Sequence, residues 1–125
     1  PTELTATLNA AMSMGFKKVW AVFQPHTFSR TAMLLDDFAE ALKIPDVAII
    51  SAILPVRETN TYNIYSNDLG AKVPNSVCLD TFEEITDYVC KNAKEGDLIL
   101  TMGGGNVYMC ANMIFKQSKY MEQNK

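Results

Sequence analysis

Residues 19–31 read VWAVFQPHTFSRT, and this stretch carries the strongest structural signal in the chain. Val19 to Phe23 is a short apolar run of strand-forming residues, bounded by two lysines and by Pro25, which predicts a buried strand. Ser29 is a residue type that caps helices, so we expect a helix to begin there. A strand, a loop and a helix in this order are typical of parallel sheets, because the helix packs back onto the sheet.

The same alternation of strands and helices continues on both sides of this stretch. Apolar residues at helical spacing predict a first helix from about Thr2 to Met14, which Gly15 ends. The later predicted strands are Val47 to Ile53, Ser76 to Leu79 and Leu98 to Met102, with a short helix from Ser66 to Lys72. The predicted fold is α/β: a Rossmann-like, open, mostly parallel sheet with helices on both faces, forming a single domain over residues 1–125.

Three predicted helices have an apolar face that should pack against the sheet. In the helix after Ser29 this face is Met33, Leu34, Phe38, Ala41 and Leu42, whereas Asp36, Asp37 and Glu40 should face water. Thr81 and Glu84 fit a capping box at the start of a helix whose inner face is Phe82, Ile85 and Val89. In the last helix the inner face is Val107, Cys110, Ala111, Ile114 and Phe115. We expect the polar tail from Gln117 to fray.

Composition excludes several classes of protein. The 125 residues are 48% hydrophobic and carry a net charge of −3. A negative charge argues against non-specific nucleic-acid binding, which needs many cations at phosphates. No apolar run is long enough to cross a bilayer, so we expect no membrane partner. The cysteines Cys78, Cys90 and Cys110 are widely spaced without a CxxC pair, which indicates buried thiols of a reduced, cytoplasmic protein.

Ligands of open parallel sheets bind at the carboxyl ends of the strands. The chain's one histidine and both of its arginines, His26, Arg30 and Arg57, fall in loops that follow the first and second predicted strands. Arginine can grip a carboxylate or phosphate with two donors, and His26 precedes a helix start, where an anion is favoured. Each residue could instead be a solvated or ion-paired side chain. Their joint position favours an anion site.

A glycine loop follows the fourth predicted strand: Gly103, Gly104 and Gly105, then Asn106. Such a loop can present backbone N–H groups to phosphate, but a dinucleotide fingerprint would need glycine where this chain has Tyr108. The loop is therefore a weaker candidate for nucleotide or phosphate contact, and a tight turn is the alternative. GxxxxGK[ST], HExxH and GxSxG are missing from the sequence, as is any dense acidic cluster. We expect no metal site in this chain.

Several segments resemble the Mur ligase family, and within it the UDP-N-acetylmuramate–L-alanine ligases. Residues 24–31 (QPHTFSRT) are similar to that family's FQPH segment, which continues with a variable residue, an aromatic residue and SRT. Residues 36–38 match its acidic-aromatic stretch, and residues 56–58 (VRE) resemble its segment after the next strand. Residues 96–105 (GDLILTMGGG) resemble GDLxLTMGAG, and residues 1–3 (PTE) look like the end of DDYxHHPTE.

The resemblance implies one domain of an ATP-dependent ligase in peptidoglycan precursor synthesis. Mur ligases have a first domain that binds the UDP-sugar, a central domain with the phosphate loop and Mg²⁺, and a third domain that closes over them. Residues 1–125 would be the third domain, with the other two absent. The implied reaction activates UDP-N-acetylmuramate as an acyl phosphate using ATP, and the amine of L-alanine then attacks to give an amide. ATP and Mg²⁺ would be bound mainly by the central domain, so we expect the fragment to be inactive alone.

The resemblance also suggests roles for residues. Arg30 would grip a carboxylate or phosphoryl oxygen, and His26 would orient the substrate. Arg57 and Glu58 are further candidates for substrate binding. Two departures limit the analogy: Thr27 stands where many relatives have arginine, and the DDYxHH residues are missing together with a predicted first strand. An exposed sheet edge would then favour self-association.

Two alternatives from other classes remain open. The chain could be a stand-alone α/β module that binds a small anion or a nucleotide, with the glycine loop as its contact. It could also be a structural domain that only assembles with a partner, because of the missing edge strand.

Overall fold

The computed structural model describes residues 1–123 and contains a four-stranded parallel sheet flanked by helices. The strands are β1 (Val19–Gln24), β2 (Val47–Ile50), β3 (Ser76–Cys78) and β4 (Leu98–Gly103). The helices are α1 (Thr2–Met12), α2 (Phe28–Met33), α3 (Leu35–Leu42), α4 (Ser66–Gly70), α5 (Phe82–Asn92) and α6 (Tyr108–Gln123). The spatial order of the strands is β3-β2-β1-β4, and all three pairings are parallel. The predicted α/β fold with a parallel sheet is confirmed.

Alternate residues of the central strand β1 belong to two separate hydrophobic cores. Ala21 and Phe23 belong to a cluster with α1, α3 and α4, while Trp20 and Val22 belong to one with α5 and α6. Successive side chains of a strand point to opposite faces of the sheet, so a strand covered on both faces must be apolar throughout. All six residues of β1 are buried. The predicted placement of helices on both faces is therefore confirmed.

The second predicted strand is shorter than its apolar run. Regular pairing ends at Ile50, although the prediction extended to Ile53. Beyond Ile50 the chain stays beside β1, and Ser51 N–H still donates to the carbonyl of Phe23 at 3.0 Å. An isolated parallel bridge then joins Leu54 to His26. The loops after β1 and β2 are thus held side by side.

The helix predicted after Ser29 is two helices, and this prediction was wrong in two respects. The cap of α2 is Thr27, whose hydroxyl accepts the N–H of Arg30 at 3.2 Å, so Ser29 lies inside the helix. The helical path breaks at Leu34, which has a φ of −111°. Next to the break, Met33 faces away from the core and is 81% exposed. Asp36, Asp37 and Glu40 are exposed as predicted.

Helices α5 and α6 differ from the predictions in detail. Thr81 caps α5 by accepting the N–H of Glu84, but the Glu84 carboxylate accepts the hydroxyl of Thr81 instead of its N–H, so the capping box is incomplete. In α6, Cys110 and Ile114 are buried as expected. Phe115 is 61% exposed, which corrects its inward placement. The tail after Gln117 is helical through Gln123, and Asn124 and Lys125 lie outside the described residues.

The amino-terminal end of the sheet is fixed by two aspartates. Asp46 accepts the N–H of Val19 at 2.7 Å. Asp97 accepts the indole N–H of Trp20 at 3.0 Å and the N–H of Lys94 at 2.9 Å. These bonds lower the pKa of Asp97, the Lys94 amide most and the Trp20 indole next, with Lys18 nearby. The opposite, carboxyl end of the sheet holds the residues of interest for function.

Candidate functional site

A cleft of about 420 Å³ opens at the carboxyl ends of β1 and β4, beside the start of α1. This is the edge of an open parallel sheet at which ligands bind. Its lining includes Pro1, Leu4, Gln24, His26, Arg30, Phe38, Thr101, Met102, Gly103 and Gly104. The structure therefore brings His26, Arg30 and part of the glycine loop together, whereas Arg57, Glu58 and Asn106 are outside this lining.

His26 lies directly after β1 and is held by the neighbouring chain. The bridge to Leu54 fixes its backbone, and flanking bonds run from Leu54 N–H to the carbonyl of Pro25 at 2.9 Å and from Thr27 N–H to the carbonyl of Leu54 at 2.8 Å. The ring rests on the backbone of Gly104, because a β-carbon there would lie 2.9 Å from the imidazole Cδ2. His26 is half-buried, with its ring at the wall of the cleft.

Arg30 is exposed in the first turn of α2 and reaches the same cleft. Its backbone is set by Thr27, which adopts a left-handed φ of 63° and caps the helix. The Thr27 carbonyl also accepts the hydroxyl of the buried Thr31 at 2.7 Å. Within residues 1–123 no ion pair or hydrogen bond holds the guanidinium of Arg30, so its donors are available to a ligand.

Glu58 joins the loop after β2 to the start of α2. Its carboxylate accepts the N–H of Phe28 at 2.7 Å and the N–H of Ser29 at 3.1 Å, and it also accepts the Ser29 hydroxyl. These bonds, led by the Ser29 hydroxyl and amide, hold the pKa of Glu58 below its usual value, and the charge of His26 acts in the same direction. The pairing spans about 30 residues of sequence, so no local pattern could reveal it.

Arg57 lies outside the lining of the cleft that Arg30 reaches. It is exposed and has a φ of 64°, and the preceding residue, Val56, has a φ of 42°. Left-handed backbone costs energy for residues other than glycine and persists only where the surroundings impose it. This turn therefore leads the chain from the Leu54 bridge to Glu58. Substrate contact by Arg57 stays a prediction.

The glycine loop is shaped by its own neighbours. A β-carbon at Gly103 would meet the carbonyl of Gln24, and one at Gly105 would meet the side chain of Leu54. Asn106 accepts the amide N–H of buried Gln24 at 3.0 Å, which leaves the Gln24 amide oxygen without a partner among the described residues. Internal packing is a sufficient reason for glycine at these positions. Contact with a phosphate stays a prediction.

Within residues 1–123, no three His, Cys, Asp or Glu side chains cluster so that they could hold a metal ion. None of the helices in that range combines the length and apolar character needed to cross a bilayer. The polar side chains that line the cleft are those of Glu3, Thr7, Gln24, His26, Arg30 and Thr101. Among them the imidazole and the guanidinium suit the anionic part of a ligand.

Known proteins resemble this chain along most of its length. The family model of the Mur ligase, glutamate ligase domain, matches residues 1–105. The chain is 44% identical over 123 residues to the UDP-N-acetylmuramate–L-alanine ligase of Acetivibrio thermocellus. It is 42% identical over 120 residues to the protein of the same name from Lachnospira eligens. These matches cover 95% and 93% of the chain but 26% of each relative, so the chain spans about a quarter of their length.

Two solved structures share the fold. A murein peptide ligase from Psychrobacter arcticus superposes with a TM-score of 0.72 at 21% identity, covering 93% of this chain and 25% of that one. A ligase domain from Haemophilus ducreyi, crystallised as a domain, gives a TM-score of 0.68 at 22% identity and covers 94% and 83%. The match of the family model to residues 1–105 and the relatives at 42–44% identity show that this chain belongs to the Mur ligase family.

Proposed function

We propose that this chain is the C-terminal domain of an ATP-dependent ligase that joins L-alanine to UDP-N-acetylmuramate. The observation that carries the proposal is the joint placement of His26 and Arg30 in one cleft at the carboxyl edge of the sheet. It is supported by relatives at 42–44% identity that bear the name of that ligase. The cleft is the side of the active site that this domain contributes when the protein closes.

Arg30 binds an anionic oxygen of the reacting groups. Its planar guanidinium can donate two parallel hydrogen bonds to the carboxylate of alanine or to the phosphoryl group of the acyl phosphate. The side chain is exposed and has no internal partner within residues 1–123. A cation held near developing negative charge lowers the barrier when water is excluded, which closure of the domain achieves.

His26 orients the amino acid next to Arg30. Its backbone is fixed by the Leu54 bridge, and its ring lies close to Gly104, which restricts the positions that the imidazole can take. Fixed geometry at a reacting centre removes much of the entropic barrier to amide formation. Arg57 belongs to the proposed substrate side and Gly103 to Asn106 to the proposed phosphate side, with less support from the geometry. Glu58 was predicted on the substrate side too, but its carboxylate is bonded to the start of α2.

ATP and Mg²⁺ are bound mainly by other domains of the intact ligase. The residues of this chain do not fit a metal site, since no suitable cluster of ligands exists within residues 1–123. Gln24, His26 and Leu54 lie where β-carbons on Gly103, Gly104 and Gly105 would stand, so internal packing already accounts for the glycines of the loop. When bound elsewhere, ATP supplies the phosphoryl group that activates the carboxylate. The amine of alanine then displaces phosphate and forms the amide, while this domain holds the amino acid and excludes water.

Phosphate release by the intact ligase tests the proposal directly. Release should require UDP-N-acetylmuramate, L-alanine and ATP together, and the 125-residue chain alone should release none. The reading frame that encodes the chain should also contain an upstream GxxxxGK[ST] loop. The proposal fails if that loop is missing or if L-alanine does not stimulate release. The proposed setting is the cytoplasm, where the nucleotide substrates occur.

An open sheet edge favours one further property, self-association. Within residues 1–123, β4 pairs with β1 on one side and with no strand on the other. Unpaired edges tend to recruit other strands. Light scattering of the isolated chain over a range of concentrations would measure this, and a constant monomer mass would remove the proposal.

The alternative function is that of a stand-alone module that binds a nucleotide. If that alternative holds, calorimetry should detect micromolar nucleotide binding that Gly104→Val abolishes.

A further inference from the structure

We propose that Glu58 is a positioning residue that sets the geometry of His26 and Arg30 and does not contact the substrate itself. The inference rests on the proposed function, since it concerns how that cleft is held in shape. Both carboxylate oxygens of Glu58 already accept hydrogen bonds from residues at the start of α2. A ligand cation or hydroxyl would have to compete with three internal donors for them.

The carboxylate occupies the place that a ligand anion would otherwise take at the helix start. The first N–H groups of a helix have no partner within the helix and attract negative charge. Here the N–H groups of Phe28 and Ser29 donate to Glu58. We therefore expect an anion in the cleft to be bound by the side chains of His26 and Arg30, and not by the backbone N–H groups of α2.

Glu58 completes a splint made of residues 54–58. At one end of the splint, Leu54 exchanges backbone hydrogen bonds with Pro25 and Thr27 on either side of His26. At the other end, Glu58 holds the first residues of α2, the helix that carries Arg30. The two proposed substrate-binding residues are thus each fixed by an opposite end of one five-residue segment.

The backbone of residues 54–58 is strained. Val56 and Arg57, between its two ends, have left-handed φ values of 42° and 64°, and Thr27, which bonds to Leu54, has 63°. None of the three is glycine, so each conformation persists only while neighbouring bonds impose it. Loss of the Glu58 carboxylate removes the bonds at one end and leaves two free N–H groups at the helix start. We expect the α2 turn to relax and the spacing between His26 and Arg30 to change.

Steady-state kinetics of the intact ligase separate positioning from folding. Glu58→Ala should raise the KM for L-alanine about tenfold, because bonds to a charged acceptor are lost, with the KM for ATP and for UDP-N-acetylmuramate changed less than about twofold. Glu58→Gln should recover most of the affinity, since its amide oxygen still accepts an N–H. Glu84→Ala is the matched control, because it removes a carboxylate from the start of α5, outside the cleft lining.

Two results would overturn the inference. The first is an equal KM for L-alanine in Glu58→Ala and Glu84→Ala, with only the fraction of folded enzyme reduced in Glu58→Ala. That result would mean that Glu58 has a purely structural role.

The second result comes from an NMR titration of the 125-residue chain. The amide proton signals of Phe28 and Ser29 should titrate with one acidic midpoint that Glu58→Gln removes. If these signals do not titrate, the hydrogen bonds from Phe28 and Ser29 to Glu58 are not formed, whatever the activity of the enzyme. Wild-type enzyme without alanine-dependent phosphate release would instead refute the proposed function, and the catalytic part of the inference with it.

Discussion

The imidazole of His26 rests against the backbone of Gly104, so that a β-carbon on Gly104 would stand 2.9 Å from the ring carbon Cδ2. Contacts that short do not occur between carbon atoms, so either the ring or the loop would have to move. The contact joins the end of β1 to the end of β4 across the cleft wall. It makes the smallest side chain in the protein a determinant of where its only histidine lies.

Gly104→Ala should therefore impair the site more than the fold. Gly104 does not adopt a positive φ, so alanine adds a methyl group without backbone strain. We expect a displaced His26 ring and a raised KM for L-alanine in the intact ligase. Gly15→Ala is the opposite control: nothing lies within 4 Å of its β-carbon, but its φ is +84°. That variant should lose about 1 kcal/mol of stability and keep its KM. Equal KM values for both variants would contradict the role of the contact.

Arg30→Ala should reduce turnover of the intact ligase about a hundredfold, the usual cost of removing a donor that stabilises developing charge. The free energy of unfolding should change by less than about 0.5 kcal/mol, because the side chain is exposed. Arg30→Lys should rescue little, since an ammonium group cannot form the paired bonds of a guanidinium. Arg57→Ala is the comparison variant, because Arg57 is the chain's other arginine and does not line the cleft. Turnover of Arg30→Ala at the wild-type rate would remove Arg30 from the site.

Acid should weaken the bond between Asp97 and Trp20. Hydrogen bonds from the Lys94 amide and the indole lower the pKa of Asp97 in the folded chain. A lowered folded pKa means that the stabilisation is present above the unfolded value and is lost as the pH falls through the folded value. Melting temperatures measured from about pH 7 down to about pH 2 should fall more for the wild type than for Asp97→Asn. Parallel curves would show that the carboxylate contributes nothing to stability.

The three thiols should react slowly in the folded chain. Burial raises the pKa of Cys78, Cys90 and Cys110, and a thiolate is the reactive form. A chromogenic disulfide reagent at neutral pH should label all three rapidly in denaturant and much more slowly under native conditions. Rapid native labelling would show that at least one thiol is accessible and ionised.

The fold could be predicted where local pattern and packing agree. The run from Val19 to Phe23 is apolar on every residue because both faces of β1 are covered, and that signal needs no knowledge of the neighbours. The helix after it was harder to predict. Ser29 has the composition of a cap, but the cap is decided by the backbone of Thr27, whose left-handed φ depends on its bond to Leu54.

The candidate site could be predicted in part for the same reason. His26 and Arg30 are near in sequence to the end of one strand, so the rule for parallel sheets brings them to one edge. The bonds of Glu58 could not be foreseen, because its partners Phe28 and Ser29 are about 30 residues away and are reached through a strained turn. Such contacts depend on the register of β2 against β1, which a single sequence does not specify.

Trp20 provides an optical signal that is separate from ligand binding. It is the sole tryptophan of the chain and is 2% exposed, with its indole on Asp97 and its ring edge to Tyr88 at 6.2 Å. Trp20 packs with α5 and α6 on one face of the sheet, whereas the cleft is lined by Leu4 of α1 and Phe38 of α3 on the other face. Tryptophan fluorescence should therefore follow unfolding of the central strand without a contribution from ligand in the cleft. In the 125-residue chain, unfolding curves followed by this fluorescence can then compare the stability of the variants described above.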